Sequence, residues 1–516
     1  MRKIISIALL ALCLGNAFAQ NKDTSFLEKI KVVDKELTTV LEKSKAAGFA
    51  IAIVQGDKMV YAKGFGYRDL ENKLPVTTNT VFPIGSVTKA FTASLIGILE
   101  DQGKVNLNES PRTYIPELQF FNSEMNAQIT LKDLMTHGTG LPRHDETWKF
   151  FTPESKDELI PRIKFLEPIA PVRSKWRYNN LMYMLQGVIV ERLTEKSWGQ
   201  NIEQSLFKPL EMTNSNTTIN ALKNNNEAAI GYVIEDGINT KIDYFDLTAI
   251  EPAGAINSSV TDMSKWMITW LNKGKYNDKQ ILPSTYIKAA TGSQMVVTGK
   301  LPKKSDAGTF MNNYGYGWFA KAYKGHYRAD HGGGIDGFTA DVSLFPADDF
   351  GIVILTNQNR SALPQVLRNI VVDILLDTPE TEDWMAFLEK YAQQQAKVRE
   401  AKTIESIKSV HALEQYTGTY THKGYGTFNV VKENDSLFVK LPSRTLWLNP
   451  VHPDVFETYN VIDNKVESKY QDRSINFMTN FEGEISGLKI ELERRLDPIV
   501  FDRTPLKTEP TDQAKL

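Results

Sequence analysis

The sequence predicts an α+β protein in which an antiparallel sheet is packed with helices and followed by a small all-β barrel. Three observations predict it. Strand-like runs stand near both ends of the first 377 residues while helical patterns fill the middle, which suits an antiparallel sheet carrying helices. From about residue 410 the character changes to short strand-like runs separated by Gly, Asn, Asp and Pro, as in a small barrel or sandwich. A length of 516 residues allows two or three domains with ample core.

Each element has a local reason. Phe26, Ile30, Val33, Leu37 and Leu41 recur at helical spacing, so residues 25–45 read as an amphipathic helix. Residues 49–55 and 59–67 are apolar runs around Gly56-Asp57, a hairpin signal. A helix is expected over 86–102, closed by Gly103. Short helices follow over 131–137, with Thr130 as cap and Gly138 as stop, and over 181–193. Another spans 262–271, with Thr261 as its expected cap. Residues 338–345 and 350–356 read as paired strands about the turn 346–349, and 366–376 as a closing helix. Two stretches, 143–176 and 285–312, are polar or Pro-containing with weak periodicity and read as variable surface.

The charged, Gln-rich residues 378–408 suit a connecting helix. Seven strand-like runs follow, at 416–420, 426–432, 436–441, 445–448, 455–459, 474–480 and 488–492. The chain therefore divides into 1–19, 20–377, the linker 378–408 and 409–516.

Residues 1–19 carry Arg2 and Lys3, an apolar run over 4–14 and Ala17-Phe18-Ala19, the layout of a cleaved secretory signal. The run is too short to span a bilayer, and no later stretch is long enough. A lipoprotein signal would want a small residue before Cys13, where Leu12 stands. Cleavage near Ala19 takes away two cations and the only Cys, moving the net charge from −2 to −4. An exported, periplasmic or secreted chain without disulfides or a thiol nucleophile is expected. The balance of 60 basic and 62 acidic residues argues against nucleic acid as a partner held by bulk charge.

Several chemistries are absent from the pattern. The seven His make no His-Glu-x-x-His pair, so neither a metal nor another cofactor is expected. There is no Gly-x-Ser-x-Gly elbow. Gly332–Gly337 matches G-x-G-x-x-G literally, yet a strand follows it where a dinucleotide site needs a helix.

Ser86-Val87-Thr88-Lys89 is a Ser-x-x-Lys, whose ends share one helix face. A lysine amine of lowered pKa held against a serine hydroxyl can take its proton. Ser205–Lys208 and Ser486–Lys489 match as well, but only Ser86 opens a strongly apolar helix. Taken alone, Ser86 would read as a helix cap and Lys89 as a surface charge. Two further elements change that. Tyr178-Asn179-Asn180 precedes a helix and offers a proton relay and an amide to hold substrate and lysine. His331-Gly332-Gly333-Gly334 precedes a strand and can turn backbone N–H groups toward a substrate oxygen, forming an oxyanion hole with the N–H of Ser86.

These elements, in this order, resemble the serine β-lactamase and penicillin-binding protein superfamily, and above all its class C β-lactamase-like serine hydrolases. Supporting text includes Phe82–Ala93, Leu134–Pro142, Arg177–Asn180, Pro252–Ile256 and His331–Phe338. The similarity spans roughly 25–377, and residues 410–505 resemble the lipocalin-like β-module that follows the hydrolase in some members. The resemblance implies a β-lactamase/transpeptidase-like fold. It makes Ser86 the acylated nucleophile and gives proton transfer to Lys89 and Tyr178, without settling which is the base. Asn180, His331, Gly333 and Gly334 bind substrate, and His137 is structural.

One departure matters. Many members have Thr where this chain has Gly332, and that hydroxyl helps hold a substrate carboxylate. A hydrogen bond to a charged group is worth about 1.5–3 kcal/mol, so such substrates lose tenfold or more. His331 in place of Lys makes the local charge dependent on pH. The leading expectation is a serine hydrolase of peptide or small-molecule substrates: a D-amino-acid peptidase or amidase first, an esterase second, a β-lactamase third. A non-catalytic binding protein is the alternative of another class. A third reading makes the C-terminal module a carrier, with Phe428, Phe438, Trp447 and Phe477 lining a cavity, although such residues more commonly fill a barrel core. The oligomeric state is not readable from the sequence.

Overall fold

The computed structural model describes residues 26–505 apart from 27, 236, 300, 302, 304–309, 380–381, 399–405 and 494. The expected signal segment, part of the linker and the last residues lie outside these. Among the described residues no helix is long and apolar enough to cross a membrane.

The first nine strands used here are β1 (Gly48–Gln55), β2 (Lys58–Asp69), β3 (Leu74–Pro75), β4 (Met295–Thr298), β5 (Asn312–Tyr314), β6 (Phe319–Tyr323), β7 (His326–Ile335), β8 (Phe338–Phe345) and β9 (Phe350–Thr356). They form one antiparallel sheet in the order β4-β5-β6-β7-β8-β9-β1-β2-β3. Strands from the two ends of this region meet at its centre, where Ile51 faces Ile354 and Ile53 faces Ile352.

Alternation assigns the faces of β1. Phe49, Ile51 and Ile53 pack with Val33, Leu37 and Val40 of the helix over 28–44 and with Leu367 and Val371 of helix Leu363–Leu375. Ala50, Ala52 and Val54 face the helical layer that holds Phe91, Met263 and Trp266. Both faces are covered, so the run is apolar throughout.

The sheet and its helices form the expected α+β architecture, with corrections in detail. Helix Val260–Leu271 starts earlier than expected and is capped by Ser259, whose side chain accepts from the Asp262 N–H; Thr261 instead donates to the Thr78 carbonyl. The stretches expected as variable surface are mostly exposed or half-buried, but each also sends residues into the core. Trp148, Phe150, Phe151, Ile160 and Ile163 are buried, and Ser284–Thr291 is a helix that buries Tyr286 and Ile287. Their elements around 146–165 are only four to six residues long, too short to display a period.

Eight further strands close a barrel: β10 (Gly418–His422), β11 (Gly426–Glu433), β12 (Ser436–Lys440), β13 (Thr445–His452), β14 (Val455–Ile462), β15 (Lys465–Thr479), β16 (Ile485–Ile490) and β17 (Ile499–Thr504). The barrel has one strand more than the seven expected runs, and the first begins after a helical turn at Leu413–Tyr416. Phe428 and Phe477 are buried inside it. Phe438 and Trp447 alternate with buried neighbours and pair on the outer face, which removes two of the four residues invoked for a carrier cavity.

The barrel rests on the stretch 143–167. Phe151 stacks on Phe501 at 5.7 Å and lies against Tyr425 and Phe428. Arg473 pairs with Glu146 at 2.6 Å, and the Arg162 guanidinium donates to the Tyr425 carbonyl. Apolar packing therefore runs without a break from the helical layer into the barrel.

Candidate active site

Ser86 lies in a 3-10 turn, Gly85–Val87, that leads into helix Thr88–Asp101; it does not yet belong to the α-helix as expected. Two glycines make this turn possible. Gly85 has φ +51, and a Cβ there would sit 2.8 Å from the Gly334 nitrogen. A Cβ on Gly333 would overlap the Ile84 carbonyl at 1.8 Å. The Ser86 turn and β7 thus touch backbone to backbone, with the nitrogens of Ser86 and Gly334 at the contact.

One helical turn on, Lys89 is fully buried. Its Nζ lies 3.1 Å from Ser86 Oγ, 2.7 Å from Asn180 Oδ1 and 2.7 Å from the Ala253 carbonyl. Burial first, and the nearby Arg143 charge second, hold its pKa well below that of a free lysine, while Asp145 opposes them. A neutral amine has two N–H donors and one lone pair. Asn180 and Ala253 offer only acceptors, so they take the two donors and the lone pair faces the Ser86 hydroxyl.

Tyr178 donates its hydroxyl to Ser86 Oγ at 2.8 Å. Burial raises its pKa above that of a free tyrosine, so it holds its proton at neutral pH. Ser86, Lys89, Tyr178 and Asn180 therefore form one hydrogen-bonded group, the assembly that the family resemblance implies. His137 supports it from below. Its Nδ1 accepts the Asn179 N–H, and its ring lies 4.4 Å from that of Tyr178.

His331 stands apart. Its Nδ1 is 2.7 Å from the Gly332 carbonyl, an acceptor, so that nitrogen carries the hydrogen. Nε2 then accepts from the Tyr314 hydroxyl at 3.1 Å. Burial, above all, pushes its pKa down to about 3, so it is neutral at physiological pH. The expected pH-dependent charge at this position is corrected accordingly.

The geometry agrees with the comparisons. A model of the Beta-lactamase family matches residues 33–376. The chain belongs to that family. A second model, a domain of unknown function (DUF3471), matches residues 402–503. Among the chain's relatives, the Unguisins hydrolase ungD of Aspergillus violaceofuscus is 26% identical over 432 residues, covering 77% of this chain and 76% of its own. Protein flp of Staphylococcus aureus (strain N315) is 26% identical over 349 residues, 66% of each chain. The solved structure of the octameric penicillin-binding protein homologue from Pyrococcus abyssi superposes with a TM-score of 0.61 at 21% identity, over 92% of this chain and 100% of that one. It shows a shared fold.

Within this family fold, two residues at the site escaped the sequence reading. Asp145 Oδ1 accepts from Asn180 Nδ2 at 2.9 Å, which turns the amide so that its oxygen meets Lys89. Arg143 gives its Nε to Asp145 Oδ2 at 2.7 Å and lays its guanidinium 4.8 Å from the Tyr178 ring centroid. Neither lies in a motif, and nothing in their spacing signals them. From the barrel, Glu493 accepts the His144 N–H at 3.2 Å and Tyr425 bonds His144 Nδ1 at 2.8 Å.

Proposed function

We propose that this β-lactamase-family protein is an exported serine hydrolase that works through an acyl-enzyme on Ser86. Its first substrate class is a peptide-like amide of the D-amino-acid type. The observation that carries the reading is that Ser86 Oγ lies within hydrogen-bond distance of both Lys89 Nζ, at 3.1 Å, and the Tyr178 hydroxyl, at 2.8 Å.

In the reaction, the Ser86 hydroxyl proton passes to Lys89 and Oγ bonds to the substrate carbonyl carbon. The carbonyl π pair moves onto oxygen, where the N–H groups of Ser86 and Gly334 receive it. When the tetrahedral adduct collapses, the bond to the leaving group breaks and that group takes a proton from Tyr178, which is itself made good by the proton Lys89 took from Ser86. Water then repeats the sequence on the acyl carbon and frees Ser86. Lys89 is the base in this scheme, because Tyr178 is held protonated. Asn180 and Asp145 position Lys89.

We take 1–19 as the signal, 20–377 as the hydrolase unit, 378–408 as the connection and 409–516 as the barrel unit. The relative named a hydrolase of unguisins supports hydrolysis within this sequence neighbourhood. A second reading, an esterase of small acyl esters, is favoured by Gly332, which has no side chain to hold a substrate carboxylate.

The test is intact mass of the protein after a serine-directed phosphonate and, separately, a penicillin, beside Ser86→Ala. One adduct on the wild type and none on the variant is expected. A folded wild type that neither reagent labels would sink the hydrolase reading and leave the binding protein.

A further inference from the structure

We infer that Arg143 is the anion-recognition group of this site and takes the free carboxylate of a peptide-like substrate. The inference rests on the hydrolase reading and names its substrate class.

The strand that would ordinarily present such a group offers none. Gly332 has no side chain, and His331 is neutral with both ring nitrogens spent on Gly332 and Tyr314. Lys321, on the neighbouring strand, gives its amine to Asp330 at 3.1 Å. Lys89 is buried and committed to Ser86, Asn180 and Ala253.

Arg143 differs from all of these. Its guanidinium lies over the ring of Tyr178, whose hydroxyl touches Ser86, so it stands one tyrosine ring away from the reacting bond. Only Nε is spent, on Asp145. Its two terminal nitrogens make no hydrogen bond among the described residues, and 52% of the side chain is exposed. Those nitrogens form a planar fork that matches a carboxylate.

The guanidinium is also held still. Asp145 grips it from the hydrolase side, and Glu493 of the barrel draws on it by charge from the other. Glu493 is itself tied to the His144 N–H, next in the chain. Asp145 is itself shared with a second cation. Lys149 lies 3.8 Å from Asp145. The exposed fork gives an incoming carboxylate one place to bind.

The experiment uses the full mature protein and a matched pair of ligands, an N-acyl-D-alanyl-D-alanine with a free carboxylate and the same compound as its carboxamide. Turnover of the pair is measured for wild type, Arg143→Gln and Arg143→Lys. The readout is the ratio of kcat/KM values, in which the field of Arg143 on Lys89 and Tyr178 cancels. Wild type is expected to prefer the carboxylate. Arg143→Gln is expected to cut the ratio roughly ten- to a hundredfold, mainly through KM, and Arg143→Lys to restore part of it. Glu493→Gln is expected to cut it a few-fold.

Calorimetric binding of the pair to Ser86→Ala and to Ser86→Ala with Arg143→Gln reads recognition without chemistry. An inactive protein that still binds the carboxylate form at least tenfold more tightly would sink the hydrolase reading and keep this one. An unchanged ratio in Arg143→Gln, or equal affinity of Ser86→Ala for the two ligands, overturns the assignment. A wild-type preference for the carboxamide over the carboxylate would likewise overturn it.

Discussion

The two sides of Ser86 are built differently. Lys89 and Asn180 stand at the starts of two buried helices, and backbone contacts at Gly85 and Gly333 fix the turn between them. Arg143, by contrast, belongs to a stretch of short turns whose partners are Glu493, Tyr425, Arg473 and Phe501 of the barrel. The first side depends on local sequence and tight packing. The second is held by residues some 280 to 350 positions away. The proton chemistry is therefore intrinsic to the hydrolase layer, while the edge that meets substrate is shared with the barrel.

The largest effect that could break this division lies at Lys89. Lys89→Met is expected to lower kcat/KM by roughly a thousandfold or more, with circular dichroism unchanged. In the wild type, kcat/KM is expected to climb as pH rises through the Lys89 pKa, because only the neutral amine can accept the Ser86 proton. Burial sets that limb well below the pH of a free lysine. An enzyme that keeps its rate in Lys89→Met would hand the base role to Tyr178.

Next comes the seam. Phe151 is 4% exposed and stacks on Phe501. Phe151→Ala is expected to cost about 3–5 kcal/mol in denaturant unfolding. Phosphonate labelling of Ser86, measured where the variant is folded, should slow far less than in Lys89→Met. Equal damage to labelling would mean that the barrel also supports the proton chemistry.

Asp145 joins the two sides, since it holds both Asn180 and Arg143. Asp145→Asn weakens the grip on both, and a loss of roughly ten- to a hundredfold in kcat/KM is expected, as for loss of a supporting partner. A double variant with Arg143→Gln should lose less than the two single losses combined, because the residues share a bond. Full additivity would separate the sides.

The same contrast decides what was legible in the sequence. Strands β8 and β9 and helix Leu181–Thr194 are long enough to show their period, and β8 and β9 fall on the residues expected. Ser86, Lys89, Tyr178 and Asn180 stand in two short motifs whose order resembles the β-lactamase and penicillin-binding protein superfamily, and that resemblance made their meeting foreseeable. Arg143 and Asp145 sit among elements of four to six residues whose burial is created by the barrel, and no local pattern encodes that contact. His331 was legible as a position but not as a charge, because its state follows from Tyr314 and burial.

The smallest effect tests the seam through acid. His144 keeps one nitrogen on the Glu167 carbonyl and accepts the Tyr425 hydroxyl on the other, which suits only the neutral ring. Burial lowers its pKa from 6.5 to about 4. The unfolded chain therefore binds a proton more readily than the folded one between these values. Stability is held above pH 6.5 and drains as pH falls toward 4, by about 1.4 kcal/mol per pH unit for this group. His144→Asn is expected to flatten the slope of unfolding free energy over that window by this amount, whatever it costs at neutral pH. His331→Asn should do the same further into acid, since its pKa of about 3 extends the window. An unchanged slope in His144→Asn would mean that the seam opens before the ring must take a proton, so that the barrel's grip on the segment carrying Arg143 is looser than the His144 hydrogen bonds indicate.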